Sequence, residues 1–544
     1  MKKILIFLLI IVFNPLLHTY ILLKAFSSVY SANINFSELS LLPLNYDFIL
    51  LCIKTIFPFT TNVMYIIISI VIYRSLNLKN ISLNQKNTGN TSDLFIGTNN
   101  ENNKIYLPLV ALYQNILITG SIGSGKTSST IFPFLNQLLK IDNMSGLILD
   151  VKGNMFNTIN TMNCKHHIIV IEVAGKYTYN PLNRPLLKPY ILSDRLITIL
   201  KLFSNTKNTD TYWFDKAGQM LTESIKLIRL YNNGYVNFTE LHKIISSKQY
   251  ILEKMHYVKT LFLSNKLTHS MQYDLNSILS YFQNEYENLD SRIQSIILSE
   301  ISRLTSTITN DEDICNTFSP SKDNSFTFSF EDIFTDNTFL ILNIPIGEYQ
   351  NLTKIIATYL KLEFQYEVLK RKQPITSPSL FLSDEYQEYI TSNDANFLSL
   401  SREFKCINII STQSYSSLLN TLGNEQQLNI ITQSCINKIF LRTDDIYTIE
   451  QAQKLFGKEE KIKISKNVSE NAQETNYNYL LNIMRSKKSN ISQSRSTYTC
   501  TDYVFDIKDF SLNLKTFQAI CYLSSGNNML LPMKLNLHPY FEKE

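Results

Sequence analysis

Residues 114–130 read Q-N-I-L-I-T-G-S-I-G-S-G-K-T-S-S-T. An apolar run, Ile116 to Ile118, stops at Gly120. After four intervening residues come Gly125, Lys126 and Thr127, and an amphipathic run follows through Leu135 and Leu139. Strand, glycine-rich loop and helix in that order make a phosphate-binding P-loop. Glycines let successive backbone N–H groups turn inward around phosphate oxygens with no Cβ in the way, and the following helix adds its positive end. The stretch therefore assigns nucleoside triphosphate contacts to Gly120, Ser121, Ile122, Gly123, Ser124, Gly125, Lys126, Thr127 and Ser128. Lys126 would reach the β- and γ-phosphates of ATP, and the Thr127 hydroxyl would ligate Mg2+.

Such a loop needs a distant acid for the metal and a group to orient water. The apolar run Leu380-Phe381-Leu382 ends in Asp384-Glu385. Asp384 would complete the Mg2+ shell. Glu385, one residue further on, would act as general base or water-positioning residue toward the γ-phosphate. Ser383 is more polar than usual before such a pair. Gln413 closes the next apolar run and is a candidate γ-phosphate sensor. Arg402, between those runs, is a candidate arginine finger acting in a neighbouring subunit.

The rest of the chain arranges itself around these motifs. Length allows about three or four domains. The net charge of +5 permits a polyanionic partner without arguing for one. Seven scattered cysteines include no C-x-x-C pair and read as thiols in a reducing compartment. Residues 1–80 read as a membrane anchor with spans at about 4–23 and 48–73. Lys2 and Lys3 precede the first span, and Arg74, Lys79 and Lys86 follow the second, which places both ends in the cytoplasm. A cleaved signal peptide is the rival reading of the first segment. Residues 81–104, rich in Asn, Thr, Ser and Lys, read as a linker. From Lys104 short apolar runs alternate with helical patterns, the mark of an α/β fold. Over 190–305 the period becomes helical throughout, as at Leu221, Ile225 and Ile228. This is an inserted all-α domain, splitting the nucleotide-binding domain into 105–189 and 306–544. Lys458 to Thr499 is polar and reads as a loop-rich excursion. Two final runs, Phe517–Leu523 and Met529–Leu535, read as a hairpin finishing the sheet.

The whole pattern resembles the TraG/TraD family of type IV secretion coupling proteins, relatives of the FtsK and HerA translocases. It includes two N-terminal spans, G-S-I-G-S-G-K-T-S-S with Pro133 soon after, D-V-K-G at Asp150–Gly153, and Y-N-P-L at Tyr179–Leu182. L-S-D-E, S-R-E-F and S-T-Q-S then follow, with Tyr540-Phe541 near the end. Val151 stands where the family usually has proline. The resemblance implies a RecA-like core and a hexameric ring in the bacterial inner membrane. It also implies ATP-driven recruitment of a relaxase–DNA complex or protein effectors, with single- or double-stranded DNA as cargo, to the channel components of a secretion system. Asp150 and Lys152 would line the nucleotide site or brace the strand turn. Rival readings are an FtsK/HerA-type DNA translocase, which would usually carry four spans and a winged helix, and a catalytically idle membrane scaffold.

Overall fold

In the computed structural model, the described residues are 93–541 apart from 154, 163, 204–211, 265–267, 325–326, 471–474, 479–482 and 487–490. The expected spans at 4–23 and 48–73 and most of the expected linker lie outside them. Among the described residues, no helix is long and apolar enough to cross a membrane.

Eleven strands form one sheet: β1 (Leu94–Thr98), β2 (Lys104–Leu107), β3 (Ile116–Thr119), β4 (Ser145–Asp150), β5 (Ile168–Ile171), β6 (Phe339–Asn343), β7 (Ser379–Ser383), β8 (Cys406–Thr412), β9 (Asn437–Leu441), and later two more. Between β9 and those two come β10 (Lys458–Glu470), β11 (Thr475–Asn478), β12 (Ile483–Ser486) and β13 (Ile491–Tyr503). The sheet then closes with β14 (Gln518–Tyr522) and β15 (Met533–Asn536). The order is β2-β1-β15-β14-β9-β3-β8-β7-β4-β6-β5, parallel from β9 to β5 and antiparallel through β14, β15, β1 and β2.

The strands read as near-continuous apolar runs because both faces of the parallel block are covered. Alternate side chains enter separate cores. Leu117, Leu149, Leu340 and Phe381 face the core shared with the inserted helices. Ile118, Ile148, Ile341 and Leu382 face the core that holds the P-loop helix. On the first side, helix Asn351–Lys370 is buried almost all round. Two of its buried charged groups are paired inside: Lys361 Nζ meets Asp394 Oδ2 at 2.6 Å, and Glu363 meets Arg184 at 3.1 Å.

Three expectations change. Strand β1 lies inside the stretch 81–104 read as linker; its five residues are too few for alternation to stand out between Asn-rich neighbours. Helix Ser291–Thr309 runs through the boundary placed at 305, and helix Glu312–Phe318 follows it. The excursion after Lys458 is not loop: β10 and β13 pair antiparallel over thirteen residues, from Lys458 opposite Tyr503 to Glu470 opposite Ile491, with β11 and β12 paired beyond them. Among this ribbon's described side chains, those of 458–466 and 494–503, none is buried. Ile462 and Ile464 do alternate with lysines, but over too few residues, within a run of Lys, Glu, Ser and Asn, to mark a strand of thirteen, and both are exposed.

Candidate functional site

The site lies beyond the carboxyl ends of β3, β7 and β8, where a doubly wound sheet binds its ligand. Strand β3 delivers the P-loop and sits between β8 and β9. Gly125 has φ of +91°, a conformation that L side chains rarely adopt. Lys126 is buried, and its Nζ donates to Gly120 O at 2.6 Å, so the ammonium folds back across the loop it serves. Burial pushes its pKa down, against the pull of Glu385 and Asp384.

The helix behind the loop opens with a widened turn. Phe132 N–H donates to Thr127 O, five residues back. Pro133 has no N–H, so the Ser128 carbonyl lacks its donor in that turn. Tyr540 N–H supplies one at 2.9 Å. Neighbouring segments hold the loop as well. Ser121 N–H donates to Arg442 O at 2.9 Å, and Ser121 Oγ donates to Asp444 Oδ1 at 2.9 Å. These contacts come from the loop after β9, and nothing in the sequence pattern pointed to them.

The acids arrive on β7. Thr127 Oγ1 donates to Asp384 Oδ2 at 3.0 Å, across 257 residues of chain. Glu385 has φ of +53° and ψ of +50°, a left-handed conformation that a non-glycine residue adopts only where its surroundings enforce it. The enforcement is visible. Tyr389 Oη donates to Asp384 O at 2.6 Å and lies 2.7 Å from Ser383 Oγ. This buried pair explains the polar residue before the acids. Gln387 Nε2 donates to Glu385 Oε2 at 2.7 Å, and Gln413 Nε2 reaches the same oxygen at 3.3 Å. Thr412 Oγ1 holds Gln387 Oε1 at 2.9 Å.

Lys152 joins the two carboxylates, 3.1 Å from Asp384 Oδ2 and 2.8 Å from Glu385 Oε1. Burial acts to lower its pKa, but the two acids outweigh burial and hold it above its usual value. Burial likewise acts to raise the Glu385 pKa. Hydrogen bonds from Lys152 and Gln387, with the charges of Lys152 and Lys126, outweigh it and hold Glu385 low, as a carboxylate. Asp150 stays behind the site: its carboxylate accepts from the N–H groups of Lys152, Gly153 and Met155 and braces the turn that carries Lys152. Of D-V-K-G, the aspartate is scaffold and the lysine faces the acids.

Lys126, Thr127, Asp384, Glu385 and Gln413 thus come together. Arg402 does not join them. It is exposed, in the turn before β8 starts at Cys406, whereas the site lies past Thr412. Seven residues of strand at about 3.3 Å each put it roughly 20 Å from its own chain's site.

The residues present fit a magnesium nucleotide. Thr127 and Asp384 present a hydroxyl and a carboxylate oxygen side by side, hard ligands of the kind Mg2+ takes alongside phosphate oxygens and water. The Lys152 ammonium already rests against Asp384 Oδ2, showing that these oxygens accept a cation. Ser124 Oγ, inside the loop, is buried with no partner of its own.

Fold and site together define a P-loop nucleoside triphosphatase of the RecA-like class. Residues 378–500 match the family described as the TraM recognition site of TraD and TraG, a span holding both acids, Gln413 and much of the ribbon. Over that span the chain is similar to the TraD and TraG coupling proteins. No curated protein matches it in sequence. Among solved structures, the unbound bacterial conjugative coupling protein TrwBΔN70 is 15% identical, with 80% of this chain and 87% of that one covered and a TM-score of 0.55. The plasmid coupling protein TrwB in complex with the ATP analogue ADPNP, and with ADP and Mg2+, is 16% identical over 80% of this chain and 87% of that one, with TM-scores of 0.52. These likenesses establish the shared fold.

Proposed function

We propose that the protein is a membrane-anchored ATPase that brings DNA or protein substrates to a type IV secretion channel and drives their passage by ATP hydrolysis. The observation that carries the proposal is the meeting of Lys126, Thr127, Asp384, Glu385 and Gln413 at adjacent strand ends. The nucleotide-bound forms of TrwB, a conjugative coupling protein of the same fold, support it.

In this reading the P-loop N–H groups bind the phosphates of ATP, and Lys126 swings from Gly120 O to the β- and γ-phosphates. Thr127 and Asp384 hold Mg2+, which when bound neutralises charge on the phosphate oxygens. Glu385 takes a proton from water as that water attacks the γ-phosphorus, and the bond to the bridging oxygen of ADP breaks. Gln413, already on Glu385, orients the water. Arg402, too far to serve its own site, would act on the nucleotide of the next subunit in a hexameric ring.

Spans at 4–23 and 48–73 would hold that ring in the bacterial inner membrane with the ATPase on the cytoplasmic side. Its partners would be secretion-channel components and a relaxase–DNA complex or effector proteins. The test is ATP hydrolysis by residues 81–544 with and without single-stranded DNA, beside Lys126→Ala, together with plasmid mobilisation in cells. Hydrolysis and transfer both fail in the variant if the reading holds. Transfer that persists without Lys126 would remove the motor.

A further inference from the structure

Opposite the acids, the P-loop has a second neighbour. Phe517 precedes β14, and Leu537 to Phe541 follow β15, so both segments lie at the same end of the sheet as the P-loop. A Cβ on Gly125 would stand 2.6 Å from the Phe517 ring. Phe517 itself has φ of +65°. An aromatic side chain pays a steric penalty there and persists only where its surroundings impose it. Those surroundings are Ser124 O, 3.4 Å from Phe517 N, and Leu537 N–H, which donates to Phe517 O at 2.7 Å. Phe541 packs against Phe517 with ring centroids 5.8 Å apart and planes at 68°. Tyr540 N–H, on Ser128 O, fixes the backbone beside it. Yet Phe541 remains 65% exposed, a large apolar ring at the rim of a phosphate cradle.

The direction of the nucleotide follows from the sheet order. Asp384 and Glu385 lie past β7, on one side of β3. They mark the γ-phosphate end. A nucleotide whose phosphates run back over Thr127 and Ser128 would then carry its ribose and base toward β9, β14 and β15, on the other side of β3. That is where Phe517 and Phe541 stand.

We propose that Phe517 and Phe541 form the nucleobase platform of this ATPase, a purine stacking on Phe541 while Phe517 fixes it against Gly125. The inference rests on the nucleotide-binding reading above and adds where the base goes. Stacking reads a ring face and tolerates any purine, so ATP and GTP should bind alike.

The experiment is calorimetric titration of the full-length protein in detergent with ATP, GTP and inorganic tripolyphosphate, which has no base, each with Mg2+. Wild type should bind both nucleotides more tightly than tripolyphosphate. Phe541→Ala should weaken ATP and GTP by about tenfold and leave tripolyphosphate unchanged, and Phe541→Trp should restore the nucleotides. Phe541→Ala removes an exposed side chain, so the fold should persist, and unchanged tripolyphosphate binding checks this directly. Equal loss for nucleotides and tripolyphosphate would make the pair mere packing and overturn the platform, as would no loss at all. A wild type that binds tripolyphosphate as tightly as ATP sinks the platform alone. One that binds neither sinks the cradle and the platform with it.

Discussion

Two lysine–carboxylate pairs in this molecule are equally short and stand in opposite surroundings. Lys152 meets Glu385 at 2.8 Å among the parallel strand ends, and Lys463 meets Asp502 at 2.8 Å on the β10–β13 ribbon. Around Glu385, Gln387, Gln413 and Lys126 all bear on the same carboxylate, and Tyr389 fixes the turn that holds it. Asp502, at the ribbon surface, takes Lys463 on one oxygen and the neighbouring Tyr503 N–H on the other. An exposed ion pair is screened and loses side-chain entropy to hold its geometry. The buried-side pair is one member of a network in which each group constrains the next. Distance alone therefore says little about what a pair does; the number of further groups fixing its two ends decides that.

If the strand-end region is the constrained one, its removal should be costly in function first. Lys126→Ala deletes the charge placed for the transferring phosphate. Loss of one such preorganised group lowers turnover by about 10²–10³, measured as steady-state ATP hydrolysis with the fold checked by circular dichroism. The next effect is on stability. Phe381 is buried on β7 with Phe364 at 5.9 Å and Tyr386 edge-on at 6.2 Å, directly behind the acid turn. Phe381→Ala leaves a cavity there and should cost about 3–5 kcal/mol in denaturant unfolding. A loss under about 1 kcal/mol would show the strand-end region to be as yielding as the ribbon.

Legibility in the sequence follows the same division. Strands β3, β7 and β8 have both faces buried, so their apolar runs and punctuating turns stand out, and the acids at the end of β7 could be tied to the P-loop before any geometry was known. Among the ribbon's described side chains none is buried, so the short Lys-Ile-Lys-Ile-Ser stretch amid polar neighbours reads as loop although its backbone pairs throughout. Within the site, residue types with obligatory chemistry were legible: Lys126, Thr127, Asp384, Glu385. Lys152 was seen but left open between two roles, because only the turn braced by Asp150 settles which way it faces. Asp444 acts through a contact with a residue distant in sequence, and Gln387 and Phe517 through unusual local backbone conformations. No spacing rule announces either.

Lys152 offers a finer test of constraint. Its ammonium, with Gln387 and Lys126, holds the Glu385 pKa low against burial. A carboxyl whose folded pKa lies below its unfolded value stabilises the fold fully above the unfolded value, and that contribution is lost as pH falls through the folded one. Lys152→Met removes the leading partner and leaves burial, so the Glu385 pKa must rise. The acid limb of the pH–rate profile for ATP hydrolysis should move to higher pH, and acid unfolding should begin at a higher pH as well. Unmoved profiles would mean that Lys152 does not govern Glu385, and the strand-end pair would then resemble the ribbon pair.

The smallest effect belongs to the ribbon. Ile462 is 72% exposed in the middle of β10, and on an ordinary sheet strand an isoleucine at that position would face a core. Here Ile462→Ser removes no buried surface and opens no cavity. Surface substitutions of this kind fall within about ±0.5 kcal/mol, and slightly lower β-propensity is the only term that acts. Unfolding midpoint and ATP hydrolysis should both match wild type. A loss of several kcal/mol, of the size a core cavity produces, could arise only if Ile462 is covered in the working protein. It would move the ribbon into the constrained class and identify it as a surface buried against another chain. With Phe381→Ala measured beside it on the same protein, the two substitutions bracket the range within which every other pair in the molecule can be placed.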